Sequence, residues 1–204
     1  MNDERLLKYR EQHKHRLNYM PWLYWSLKSK NREWAEAWQQ EYQAYLMEME
    51  TIEIGKNCFI SPLAHIFAEP GRKISIGDHS FIAADCTLHG PLTIGNEVAI
   101  NHHCILEGGR AGIILHDQVR IAAYCHLYAF DHGTDLSRPI YQQAVTSKGI
   151  EIGRDVWLGA HVGVKDGISI GEHAIVGMNS MVTKNVEARH MVAGNPARWI
   201  KHRE

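Results

Sequence analysis

Histidine is the residue type whose abundance first suggests chemistry, since this 204-residue chain carries fourteen. An imidazole titrates near neutrality, so it can take a proton from a hydroxyl or amine at physiological pH, and its neutral form can ligate a divalent metal. His132 stands in the stretch YAFDHGTD, flanked by Asp131 and Asp135, two carboxylates able to orient its ring. His102, His103 and His126 supply further donors, yet with His132 they do not fall at a clear ligand spacing. Cysteine is the second reactive type, at positions 58, 86, 104 and 125. A thiol can serve as nucleophile, metal ligand or disulfide partner, and the backbone that aims it decides which.

That backbone is periodic. From residue 54 an aliphatic residue recurs every sixth position, which fits neither the 3.6-residue helix nor simple strand alternation. Ile54, Ile60 and Ile66 begin it; Ile76, Ile82, Leu88, Ile94, Ile100 and Leu106 continue it. Leu115, Ile121 and Leu127 follow, then Ile152, Leu158, Val164, Ile170, Val176 and Val182, making eighteen hexads in six groups of three. The fourth residue after a lead is nearly always small or β-branched, as at Ala64, Val98, Val119 and Ser180, and all four cysteines fall there. One large and one small inward position per hexad fit a triangular coil, so the thiols are expected to be core fillers in a reducing compartment. Six coils at strand spacing predict a prism about 29 Å tall with a parallel sheet on each side. Glycine follows the lead at Gly55, Gly77, Gly95, Gly153 and Gly171, marking a recurrent tight backbone position.

Three insertions interrupt the count: four residues between Ile66 and Ile76, three between Leu106 and Leu115, and nineteen between Leu127 and Ile152. An insertion in a stack of coils must bulge outward, where function is more common than packing. His132 lies near the root of the longest one.

The chain is expected to divide into an N-terminal helical cap at 1–51, a β-helix domain at 52–187 with the inserted loop at 128–151, and a C-terminal tail at 188–204. The first fifty residues lack glycine and hold four of the six tryptophans. NREWAEAWQQEYQAYLMEM reads as one helix with Asn31 as N-cap; Pro21 opens a shorter one, and Leu6–Leu17 form another. These helices would cover the open edge of the first coil, and their aromatics could also wall a pocket for an acceptor. Gly194-Asn195-Pro196 reads as a turn, and Arg198, Lys201 and Arg203 as a basic tail. With 22 Lys+Arg against 23 Asp+Glu, no global field draws the chain to nucleic acid. No run reaches the 18 or so apolar residues of a membrane span and the N-terminus is too charged for a signal peptide, so a cytoplasmic address is expected.

GIEIGRDVWLGAHVGVKDGISIGEHAIVGMNSMVTKNV, followed by VAGNPAR, closely resembles the C-terminal signature of the hexapeptide-repeat acyltransferases, above all the maltose and galactoside and exopolysaccharide sugar O-acetyltransferases. The resemblance covers about residues 74–200. It implies a mainly β fold with a left-handed parallel β-helix, a homotrimer with active sites between subunits, and acetyl-CoA as co-substrate, with no metal required. The family's general base matches His132. Asn101, Glu107 and Trp157 match positions around the acceptor; Ala160, Met178, Thr183, Lys184 and Arg198 match positions along the pantetheine and phosphate track. The expected reaction is direct acyl transfer in a ternary complex to a hydroxyl of a sugar or glycan. Glu107 could bond that acceptor or orient His132, in rivalry with Asp131 and Asp135. Within this reading an amino sugar, a serine or an antibiotic are other acceptors. Outside it stand a γ-class carbonic anhydrase-like metalloenzyme and a non-catalytic trimeric scaffold. Met178-Asn179 departs from the family's usual small pair, and residues 1–50 lack the helical motif of the maltose acetyltransferases.

Overall fold

Each hexad contributes a strand of only two or three residues, too short to hide its own side chain, so burial requires stacking. In the computed structural model, which describes residues 3–204, hexads of like phase stack into three parallel six-membered ladders. The first face runs from Ile52–Ile54 through Ile74–Ile76, Leu92–Ile94, Ile113–Leu115 and Ile150–Ile152 to Ser169–Ile170. The second begins at Phe59–Ile60 and the third at His65–Phe67. Lead residues pair directly with lead residues in every ladder, as in Ile54, Ile76, Ile94, Leu115, Ile152 and Ile170. All of the leads except the half-buried Ile54 lie in one continuous core. The fold is therefore mainly β, a parallel β-helix of six coils.

The four thiols are buried and free. Each donates to a carbonyl on the next coil: Cys58 to Gly77, Cys86 to Asn101, Cys104 to Ala122 and Cys125 to Gly159, at 3.0–3.1 Å. A thiol on this small position fills space and satisfies itself. The phase-locked glycines answer a different need from left-handed backbone. A Cβ on Gly77 would lie 2.6 Å from the backbone carbon of Gly95, so close stacking of coils excludes it. Positive φ falls two residues later in each hexad, on Asn57, His79, Glu97, Gln118, Asp155 and His173.

The N-terminal segment folds as α1 (Asp3–Tyr19), a 3₁₀ turn at Pro21–Ser26 and α2 (Ser29–Met49). Asn31 is not the N-cap expected of it. α2 starts two residues earlier, and the Asn31 side chain is occupied by His13 (3.3 Å) and the Trp34 indole (3.4 Å). Tyr24 and Trp38 pack on Phe59 of the first coil, with ring centroids 5.5 and 5.8 Å apart. Gln39, 1% exposed, does more: its amide donates to the Ile60 carbonyl at 3.1 Å and accepts from the Ile60 N–H at 2.8 Å. One side chain thus supplies the strand that the second face lacks at its edge.

At the other end, His190–Ala193 extends the second face in parallel and Arg198–His202 returns antiparallel to it. The basic tail forms a hairpin whose strand Arg198–His202 stays exposed, pinned where Arg203 meets Asp155 at 2.9 Å. The inserted loop also holds structure. Asp131–His132 pairs antiparallel with Val145–Thr146, with a 3₁₀ turn at Ile140–Gln142. Among the described residues, no helix is long and apolar enough to cross a membrane.

Candidate active site

Outward side chains of the third face form a column in register: Phe67, His89, Glu107 and Tyr128. His132 leaves the fold immediately beyond Tyr128, at the end of this face. Its imidazole is exposed, stands edge-on to Phe130 at 6.3 Å, and makes no hydrogen bond among the described residues. None of the expected orienting carboxylates reaches it. Asp131 pairs with Lys165 at 3.3 Å. Asp135 accepts from the Ser137 N–H at 2.6 Å, and hydrogen bonds from Ser137 hold its carboxyl below the usual carboxylate range. Glu107 takes His89 Nδ1 at 3.0 Å, while His89 Nε2 meets Glu69 at 3.1 Å. Each carboxylate was free in sequence and is spoken for in space.

The root of the insertion is held by residues that the sequence motifs do not mark. Asp166, 6% exposed, accepts from the Lys148 and Gly149 N–H groups at 2.9–3.0 Å. Ser147 Oγ accepts from the Arg110 and Ala111 N–H groups, both at 2.9 Å, and donates to the Ala129 carbonyl. The three-residue and nineteen-residue insertions are therefore buckled together beside His132. The only signal for this was an Asp-Gly step, Asp166-Gly167, one coil above the loop's return.

Thr183 and Lys184 lie exposed just past Val182, at the same end of the third face as His132. Asn101, Ala160 and Met178 occupy its other edge, at the corner with the second face. There Asn101 Nδ2 donates to the Ile121 carbonyl at 2.8 Å, and the Ala160 carbonyl accepts from the Asn179 N–H at 2.9 Å. Met178 is exposed. The same corner carries a stack of left-handed residues, His103, Tyr124 and His161, with centroids 4.7 and 4.8 Å apart. Beside it, burial and then the neighbouring His103 hold the His102 imidazole below its ordinary pKa. Trp157 and Arg198 belong to the second face, where Trp157 pairs in register with Arg120 and Ile175. Within one chain Trp157 and His132 sit on different sides of the prism. A six-residue side measures roughly 20 Å. One chain therefore gathers the matched residues at two edges, His132 with Glu107, Thr183 and Lys184, and Asn101 with Ala160 and Met178.

A cavity of about 550 Å³ opens on the second face beside Asn101, bounded by Trp22 and Trp25 of the 3₁₀ turn. His102 and His103 are neighbours at the corner, while His126 lies on the third face and His132 on the insertion. Among the described residues no three His, Cys, Asp or Glu side chains gather as a metal site.

Residues 149–184 match the family model described as bacterial transferase hexapeptide (six repeats). A putative colanic acid biosynthesis acetyltransferase, WcaF of Escherichia coli, is 28% identical over 89% of this chain and 86% of its own length. A probable acetyltransferase of Mycobacterium tuberculosis is 30% identical over 67% of this chain, which spans 44% of that protein. Among solved structures, the N-acyltransferase AntD from Bacillus cereus, in complex with dTDP and 3-hydroxybutyryl-CoA, superposes with a TM-score of 0.70. It is 31% identical, over 79% of this chain and 88% of AntD. Repeat, fold and relatives agree: the chain belongs to the hexapeptide-repeat acyltransferases and is an acyltransferase.

Proposed function

We propose that the chain transfers an acetyl group from acetyl-CoA directly to a hydroxyl of a sugar or glycan, with His132 as general base, in a cytoplasmic homotrimer. The observation that carries this reading is the exposed imidazole of His132, without a hydrogen-bond partner among the described residues, on a two-stranded root clamped by Asp166 and Ser147. A hydroxyl is a poor nucleophile until its proton is removed in the transition state. His132 accepts that proton as the oxygen adds to the thioester carbonyl, and returns it to the departing thiolate when the adduct collapses. No covalent enzyme intermediate is required, in keeping with four thiols committed to the core.

The division of the matched residues between two edges of one face supports a site between subunits, where the His132 edge of one copy meets the Asn101 edge of the next. Ala160, Met178 and Thr183 would line the pantetheine arm, with Lys184 and Arg198 toward the phosphates. Trp157 would wall the junction. A glycan acceptor is favoured by the relative named for colanic acid biosynthesis, and an acyl-CoA donor by the AntD complex.

The test is thiol release from acetyl-CoA against a panel of sugars, amino sugars, glycan-linked precursors and amino acids. His132→Ala should lower turnover by roughly 10²- to 10⁴-fold while sedimentation remains that of the wild type. Near-wild-type turnover in that variant refutes the assignment of the base. Transfer confined to amino sugars would move the reaction to nitrogen with the same base.

A further inference from the structure

The cavity on the second face has a cause that can be read from the column beneath it. Outward residues there run Phe59, Phe81, Ala99, Arg120 and Trp157 in register. The two phenylalanines are roofed by the helical cap, Trp25 approaching Phe81 at 6.1 Å. The third coil then offers only the methyl of Ala99. Ala99 still packs into the cap's apolar cluster, and beside it opens a hollow lined by the aromatic rings of Trp22, Trp25 and Phe81 and by the polar Asn101, Glu97 and Arg120.

We propose that this hollow binds the pyranose ring of the acceptor, with Trp22 and Trp25 as its stacking platform. The proposal rests on the sugar acyltransferase reading above and assigns its ring-binding subsite to this chain's own N-terminal turn. Trp25 is fixed in place because its indole N–H donates to the Asn57 carbonyl at 3.2 Å. Trp22 is 50% exposed and lines the hollow. Aromatic faces suit the C–H side of a pyranose, whereas hydroxyls need fixed acceptors and donors at the rim. Asn101 spends its amide N–H on Ile121, which leaves Oδ1 to accept from a sugar hydroxyl. The Glu97 carboxylate accepts from Gln118 at 2.9 Å through one oxygen and keeps the other open. Arg120 binds the Glu97 carbonyl through one nitrogen and lines the hollow. Glu97 and Arg120 cancel in charge, which favours a neutral ring over a uronate or sialate. The volume admits one or two rings.

The probes are methyl β-galactoside, methyl β-glucoside and lactose at millimolar concentration. Saturation-transfer NMR on the intact His132→Ala protein reads ring binding without turnover, and steady-state kinetics read the acceptors that the wild type uses. Trp22→Ala should weaken pyranoside binding and raise the acceptor KM by roughly tenfold, with the KM for acetyl-CoA unchanged and Trp22→Tyr restoring most of the loss. Equal binding to wild type and Trp22→Ala, or binding of none of the three probes, overturns the proposal. So does a changed sedimentation coefficient in Trp22→Ala, which would mean that a second copy covers the hollow. Pyranoside binding without acyl transfer to any sugar would keep the subsite and sink the transferase reading; transfer indifferent to Trp22 would do the reverse.

Discussion

Asp166 gives the sharpest test of how the repeat supports chemistry. Its buried carboxylate receives the Lys148 and Gly149 N–H groups where the inserted loop rejoins the fifth coil. Asp166→Ala deletes the acceptor and leaves both donors with no protein partner. A hydrogen bond to a charged group contributes about 1.5–3 kcal/mol, and the pair shares one acceptor, so about 3 kcal/mol in total is a fair expectation. In a stack whose coils contact only their neighbours, that loss need not melt the whole molecule. It should open the loop root, raising hydrogen exchange at the Lys148 and Gly149 amides by about 100-fold while amides of the second and third coils keep their protection. His132 is on the outgoing strand of the same hairpin, so kcat should fall with it. Asp166→Asn, which keeps one acceptor oxygen, should lie between the two. Unchanged exchange at Lys148 and Gly149 would refute the clamp, and loosened exchange with unchanged kcat would refute its link to His132.

Three further outcomes follow from other contacts. Lys184→Ala and Arg198→Ala should each raise the KM for acetyl-CoA by about 3- to 10-fold; an equal effect with a phosphate-free pantetheine thioester would show that neither serves a phosphate. Burial, reinforced by Glu36, pushes the Tyr24 phenol up to about 12. Since the folded value exceeds the unfolded one of about 10, the stability linked to Tyr24 is complete below pH 10 and disappears as pH climbs through 12. Phenolate absorbance against pH, compared with Tyr24→Phe, checks this, and a Tyr24 that titrates near 10 contradicts the packing of the cap. Gln39→Leu should destabilise by about 2–4 kcal/mol in urea unfolding, because it strands the buried N–H and carbonyl of Ile60; a loss under ~0.5 kcal/mol would mean that water replaces the amide without penalty.

The core was legible in the sequence because a hexad leaves its lead residue little freedom. Closing a three-sided coil fixes which side chains turn inward, and eighteen leads in phase over-determine the register. The cysteines and the three insertions came with that register at no further assumption. What escaped was non-local. Arg203 read as part of a basic tail, yet it ends beside Asp155, whose carboxyl His173 and then Arg203 hold below the usual range. Glu107 is where the repeat puts it, but its commitment to His89 depends on the side chain one coil below. Asn31 had the right type for a cap and lost that role to His13, eighteen residues earlier. The hairpin at His132 was hidden because two-residue polar strands carry no periodic signal.

The ends of the solenoid have a consequence for how copies can meet. Gln39 fills the bonding positions below Ile60, and Gln43 takes the Cys58 carbonyl at 2.9 Å. At the far end the returning strand Arg198–His202 covers the second face, Val186 bridges Ile170, and Gly194 and Ala197 engage Met181. A stack of identical coils is a template that could lengthen without limit, one molecule seating on the next. Here the chain has spent side chains and a reversed strand on stopping that growth, which leaves the flanks as the surfaces on which copies could meet. Copies that meet side by side around an axis close on themselves at a finite number, and the open hollow and the exposed imidazole both lie on those flanks.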